Sequence, residues 1–155
     1  MTKSVLFVCL GNICRSPLAE AALRAEAERA GLDVEVDSAG TGDWHIGHPP
    51  DLRAQAVARR NGVDIGDLRA RQVKRADFAR FDHIVALDRQ NLADLQALRP
   101  QDARAELSLL LDHVPGRAGE AVADPYHGDD DHFDVTWRDV TQGARGLAKR
   151  LTDEG

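Results

Sequence analysis

The chain has 155 residues, of which 43% are hydrophobic and 30% charged, with a formal net charge of -6. That length suits one domain, residues 1–155, with a core large enough to need no disulfide or metal. The acidic balance argues against a nucleic-acid partner held by phosphate contacts and against docking on an anionic membrane.

The elements follow in chain order. Val5-Leu6-Phe7-Val8 is a short apolar run and reads as a buried strand. Residues 17–30 read as a helix, with Ser16 as N-cap, Pro17 at the first helical position and Gly31 just past the end. Residues 34–38 alternate like a second strand, and a Gly- and Pro-rich loop runs from Gly40 to Pro50. Asp51 caps a helix to about Arg60, stopped by Asn61-Gly62. A short helix at 76–80 precedes a third strand at 83–87. Residues 88–98 form a helix ended by Pro100, and residues 106–110 form a fourth strand. Residues 112–132 read as a long loop, in which Asp129-Asp130-Asp131 is a solvated run without calcium-ligand spacing. Residues 133–151 close the chain as a helix.

Strands alternating with helices imply an α/β fold: a single three-layer domain, with a four-stranded parallel sheet flanked by helices. Such sheets bind ligands beyond the carboxyl ends of their strands. The loops after Val8, Val36, Leu87 and Leu110 are therefore expected to line a site.

The first of these loops is Cys9-Leu10-Gly11-Asn12-Ile13-Cys14-Arg15-Ser16. Cys, five residues, Arg is a weak pattern alone. Its place between the first strand and first helix makes it specific. A loop curling into a helix N-terminus aims several backbone N–H groups inward and forms an anion site. Gly11 and Asn12 tolerate the positive φ that such a cradle requires. Arg15 offers a planar fork that matches phosphate oxygens. Cys9 stands at the base, where the field that attracts phosphate also favours a thiolate nucleophile. Ser16 could donate to that sulfur. A Walker-type loop and a Cys-x-x-Cys motif are both absent. The six His are scattered, so no metal site is expected.

Cleavage of a phosphate ester leaves an oxyanion that needs a proton. Asp124, in Val122-Ala123-Asp124-Pro125-Tyr126, is the candidate acid, and Pro125 holds it extended. Tyr126 and Trp44 would form facing aromatic walls for an aryl group. On pattern alone, a plain Asp-Pro turn with partly exposed aromatics reads equally well.

Taken together, these residues resemble the low-molecular-weight protein tyrosine phosphatases, nearly from end to end. The resemblance rests on residues 5–17 with Ala19-Glu20, on Ser38-Ala39-Gly40-Thr41 with Trp44, on Ala70-Arg71-Gln72, on Ala86-Leu87-Asp88-Arg89 with Asn91, and on Asp124-Pro125-Tyr126. It implies hydrolysis of protein phosphotyrosine and small aryl phosphates through a cysteinyl-phosphate on Cys9, without metal or cofactor. Arg15 and the loop from Leu10 to Ser16 would hold the phosphate or a similar oxyanion. Asp124 would act first as acid and then as base. Asn12, Ser16 and Ser38 would brace the loop, with Asp88 behind it. Members that reduce arsenate through thioredoxin carry further Cys downstream, and none follows Cys14 here. Members acting on phosphoarginine carry Thr at the position of Ile13. A catalytically silent phosphoprotein-binding module is the competing class, and retention of Cys9, Arg15 and Asp124 together speaks against it.

Two departures stand out. Leu68 occupies a position where members often carry a loop-bracing His, and His127 follows Tyr126 where a second ring is common. The short apolar run after Met1-Thr2-Lys3 is no secretory segment, and no stretch approaches a membrane span, so a cytoplasmic monomer or weak dimer is expected. We hypothesise that oxidation joins Cys9 to Cys14 and switches activity off. Mild peroxide would then remove two hydrogens from the intact mass, whereas a Cys9 sulfinate would sink the idea.

Overall fold

The run that begins the chain is apolar because both of its faces are covered. In a computed structural model, which describes residues 2–154, strand β1 (Lys3–Cys9) is buried from Ser4 onward. It pairs in parallel with β2 (Val34–Gly40) on one side and β3 (His83–Ala86) on the other. Strand β4 (Glu106–Leu109) extends the sheet beyond β3, giving the order β2-β1-β3-β4. Val5, Phe7 and Cys9 face one core, and Leu6 and Val8 face the other. A strand buried on both faces cannot alternate apolar with polar, as a half-exposed one does.

Helices α1 (Arg15–Ala30), α2 (Leu52–Arg60) and α5 (Asp130–Glu154) cover the first face through Leu18, Leu23, Val57, Val140 and Leu147. Helices α3 (Asp77–Arg80) and α4 (Arg89–Leu98) cover the second, where Phe78 and Leu95 meet Leu6, Val8 and Ile84. The chain leaves β1 toward β2 and later returns on its other side at β3. The carboxyl end of β1 is therefore the topological switch point, where such sheets open a crevice.

Several boundaries differ from the sequence expectation. Helix α1 starts at Arg15, with Cys14 in the capping position and no side-chain cap. Ser16 lies inside the first turn and Pro17 is the third helical residue. Pro fits there because N–H groups in the first turn have no intrahelical acceptor in any case. Gly31 ends the helix in the left-handed conformation at φ 66°, as expected. Strand β2 runs on to Gly40, held there by a bridge to Gln72. Leu110–His113 forms a 3-10 turn rather than the end of a strand. The acidic run is not a free loop, because Asp130 and Asp131 open α5. Asp129 accepts from the N–H groups of Asp131 and His132. Acidic groups favour that end of a helix, where the backbone N–H groups are unpaired.

Candidate active site

The loop between β1 and α1 is shaped by where its carbonyls go. Thr41 N–H donates to the Cys9 carbonyl, Gly42 N–H to that of Leu10 and Asp51 N–H to that of Ile13. Turning these carbonyls outward leaves the loop N–H groups facing in, and the N–H of Asn12 donates to Cys9 Sγ at 3.3 Å. Asn12 carries the positive φ, at 57°, and Gly11 does not. Asparagine tolerates this region because its short polar side chain bonds locally. Gly40 is needed for space, since a Cβ there would stand 2.7 Å from the Leu10 carbonyl oxygen.

Beneath the loop runs a buried polar chain. Asn12 Nδ2 donates to Ser16 Oγ at 2.7 Å and to Ser38 Oγ at 3.0 Å, while its Oδ1 accepts from the N–H of Arg71. Ser38 donates onward to Glu20 Oε1 at 2.7 Å. Ser16 Oγ sits 3.0 Å from Cys9 Sγ and 3.5 Å from the Ala39 carbonyl. Since Ser16 already accepts from Asn12, its own proton is free to point at the sulfur. Burial pushes the Glu20 carboxyl above its ordinary value, against the opposing pull of Ser38 and Arg24. Leu68 contributes apolar packing, and the network ends instead at the Glu20–Arg24 ion pair. Glu20 is a member that sequence reasoning missed as a brace. Its signal was a lone carboxylate on the helix face that carries Leu18, Ala19, Ala22 and Leu23.

Arg15 is 3% exposed. Its Nη1 donates to Asp88 Oδ2 at 2.6 Å and to the Val122 carbonyl at 3.0 Å, and Nη2 lies 3.7 Å from Asp124 Oδ2. Burial alone would lower the arginine's affinity for its proton. The charges of Cys9, Asp88 and Asp124 more than offset that, and the guanidinium is held charged. Asp88 also caps α4 by accepting from Asn91 N–H at 2.7 Å, so its direction is fixed twice. The segment after β4 is tied down at Val122, whose N–H donates to the Leu87 carbonyl. Two residues on, Asp124 Oδ1 accepts from Tyr126 N–H, and 44% of the Asp124 side chain remains exposed.

These pieces enclose a cavity of about 210 Å³. Cys9 lies at its base, the Leu10–Arg15 loop around it, and Trp44, Asp124 and Tyr126 on the walls. Asn12 and Ser16 do not line it; their side chains brace it from below. His45 and His127 do line it. His127 packs edge-on against Tyr126, with ring centroids 5.0 Å apart. Cys14 shares the wall as a free thiol like Cys9. Burial pushes the Cys14 thiol far up, with Asp51 and Cys9 adding to the effect, so it stays protonated at neutral pH.

Arg53, on α2, is the second residue that sequence reasoning missed. Two of its guanidinium nitrogens grip Asp51, and two donate to the carbonyls of Tyr126 and Gly128. The guanidinium carbon lies 4.6 Å from the Phe133 ring centroid. Asp51 N–H in turn bonds the Ile13 carbonyl, so one arginine links the Asp124 segment to the Cys9–Ser16 loop. No sequence signal marks it, because an Arg in the first turn of a helix is ordinarily solvated. Arg53→Ala is expected to lower the urea midpoint and to speed limited proteolysis of residues 124–128, since it removes two charge-assisted hydrogen bonds to that segment. An unchanged midpoint and cleavage rate would contradict this role.

Among the described residues, the one cluster with metal-type donors is His83, Glu106 and Glu154. It lies at the opposite end of β3 and β4 from Cys9, and Arg150 and Lys3 already pair with its carboxylates.

A thiol at the floor of an anion cradle, beside a buried arginine and below a carboxylate, is the layout of a cysteine-dependent phosphate-ester hydrolase. Comparison with known proteins gives the class its family. The sequence model described as low molecular weight phosphotyrosine protein phosphatase matches residues 4–155. The enzyme of that name from Schizosaccharomyces pombe is 46% identical, over 97% of this chain and 99% of its own. The low molecular weight protein-tyrosine-phosphatase of Streptomyces coelicolor is 43% identical, over 99% and 96%. The crystal structure of YfkJ from Bacillus subtilis superposes with a TM-score of 0.92 at 38% identity, covering 99% of this chain and 97% of that one. The chain belongs to the low molecular weight phosphotyrosine protein phosphatases.

Proposed function

We propose that the chain hydrolyses protein phosphotyrosine and small aryl phosphates in two steps through Cys9. The observation that carries this reading is the convergence of Cys9, Arg15 and Asp124 on one cavity with aromatic walls. The phosphoryl group sits in the loop cradle with the phenyl ring between Trp44 and Tyr126. Cys9 Sγ attacks phosphorus, an S–P bond forms, and the P–O bond to the phenol breaks. Asp124 delivers its proton to the departing oxygen. Charge spread over the equatorial oxygens meets the loop N–H groups and Arg15.

In the second step Asp124, now a carboxylate, takes a proton from water as the water attacks phosphorus. The S–P bond breaks and the electron pair returns to sulfur. Ser16 Oγ and the Asn12 N–H, already hydrogen-bonded to Sγ, stabilise it as a leaving group. Asp88 and the Val122 carbonyl keep the guanidinium plane fixed through both steps. We propose that the chain acts as a monomer or weak dimer. The two free thiols fit a reducing compartment such as the cytoplasm. No described helix is long and apolar enough to cross a membrane.

Asp124→Asn tests the acid. Turnover of phosphotyrosine is expected to fall by about 10²- to 10⁴-fold. An ester whose leaving group needs no proton should lose much less. A uniform loss across leaving groups would remove Asp124 from the role.

A further inference from the structure

A second cavity of about 320 Å³ adjoins the first, and Leu10 and Trp44 line both. These two are among the most exposed large apolar residues of the chain, at 42% and 66%. Trp44 is seated against Gly42, where an added Cβ would meet its ring at 1.9 Å. The ridge between the cavities is therefore built into the backbone rather than draped over it. Beyond the ridge, Val73 and Leu98 form an apolar wall, and Asp94 stands at the edge with its carboxylate. Asp94 accepts from Gln90 Nε2 and has no cationic partner among the described residues.

We propose that this second cavity is a subsite for an arginine or lysine flanking the phosphotyrosine of the substrate polypeptide. The proposal rests on the phosphotyrosine reading above and names the substrate class more closely. Consecutive residues of an extended chain lie about 3.5 Å apart, so a neighbour of a phosphotyrosine held in the first cavity crosses the Leu10–Trp44 ridge into the second. A long cationic side chain matches the lining part by part. Its methylene stem covers Val73 and Leu98, and its cationic head lies between the Trp44 ring and the Asp94 carboxylate. An acidic neighbour would bring like charge to Asp94 and bury no stem. The overall charge of -6 sets the same preference at longer range.

The test is a set of phosphotyrosine peptides, with Arg, Ala or Glu placed singly at each of the two positions on either side of the phosphotyrosine. They are assayed on wild type and on Asp94→Lys, with p-nitrophenyl phosphate as the control for chemistry. Asp94 lies outside the catalytic cavity, so the control rate should match in both proteins. In wild type, Arg is expected to exceed Glu in kcat/KM by about tenfold at one position at least. In Asp94→Lys that preference should vanish or reverse. Uniform turnover whatever the flanking residue, or a preference that survives charge reversal at Asp94, overturns the subsite alone. Turnover of none of the peptides overturns the phosphotyrosine reading and the subsite with it.

Discussion

Cys9→Ser is expected to lower turnover of phosphotyrosine by roughly 10⁵-fold or more while leaving oxyanion binding in place. A serine hydroxyl is the same shape to within a bond length but a far weaker nucleophile at neutral pH. Removing the nucleophile of a serine protease costs about 10⁶-fold, which sets the scale. The binding half of the prediction follows from the loop. Its cradle is set by the carbonyls of Cys9, Leu10 and Ile13, by the Asn12 side chain and by the start of α1, none of which depends on sulfur. Calorimetry with inorganic phosphate or vanadate should give a dissociation constant for the variant within several-fold of wild type. Retained turnover above a hundredth of wild type would remove Cys9 from the nucleophile's role.

Arg15→Lys separates charge from geometry. Lysine keeps the positive charge, but as a compact point on a flexible stem, without the planar fork. It cannot hold Asp88 and the Val122 carbonyl from one nitrogen, as Nη1 does, and leave a second nitrogen to face a phosphoryl group. Loss of an arginine that stabilises phosphoryl transfer costs about 10³- to 10⁵-fold in kcat, and we expect the lysine variant near the lower end. Stability should fall by about 1–3 kcal/mol, because the buried Val122 carbonyl loses its charged donor. Steady-state kinetics and a urea midpoint measured on one preparation would check both. A variant with normal kcat and a raised KM alone would make Arg15 a binding group and nothing more.

The parts of this enzyme that the sequence makes plain are those built from neighbours in the chain. Val5–Val8, Asp51 as a cap, Gly31 as a helix stop and the Cys9–Ser16 loop each carry a local signal, and each lies within a residue or two of its expected place. What escaped the reading depends on partners far along the chain. Ser16 reads as an N-cap, yet its hydroxyl serves Cys9, because the first-turn N–H groups of α1 belong to the anion cradle. Glu20 meets Ser38, and Arg53 meets the carbonyls of Tyr126 and Gly128, only after β2 and α5 are in place. His45 reaches the cavity because the loop after β2 folds over Gly11, where an added Cβ would lie 3.0 Å from the imidazole. Periodicity and capping rules carry no information about such pairs. The placing of Asp124 falls between these cases. The sheet rule points to the correct edge, and the Val122 contacts with Leu87 and Arg15 then set the reach of the carboxylate.

The pairing of Arg15 with Asp88 and Asp124 bears on how substrate arrives. Asp88 already offsets the guanidinium charge, and the whole chain is acidic, so a small dianionic ester approaching from a distance is expected to meet repulsion rather than steering. Attraction begins only inside the cradle, over the few ångströms where backbone N–H groups act. Added salt shortens the reach of the repulsion to about 8 Å at physiological ionic strength and leaves the buried contacts largely untouched. Capture of a small dianionic ester is thus expected to be hastened by electrolyte, the reverse of the behaviour of proteins that gather phosphate with a basic surface.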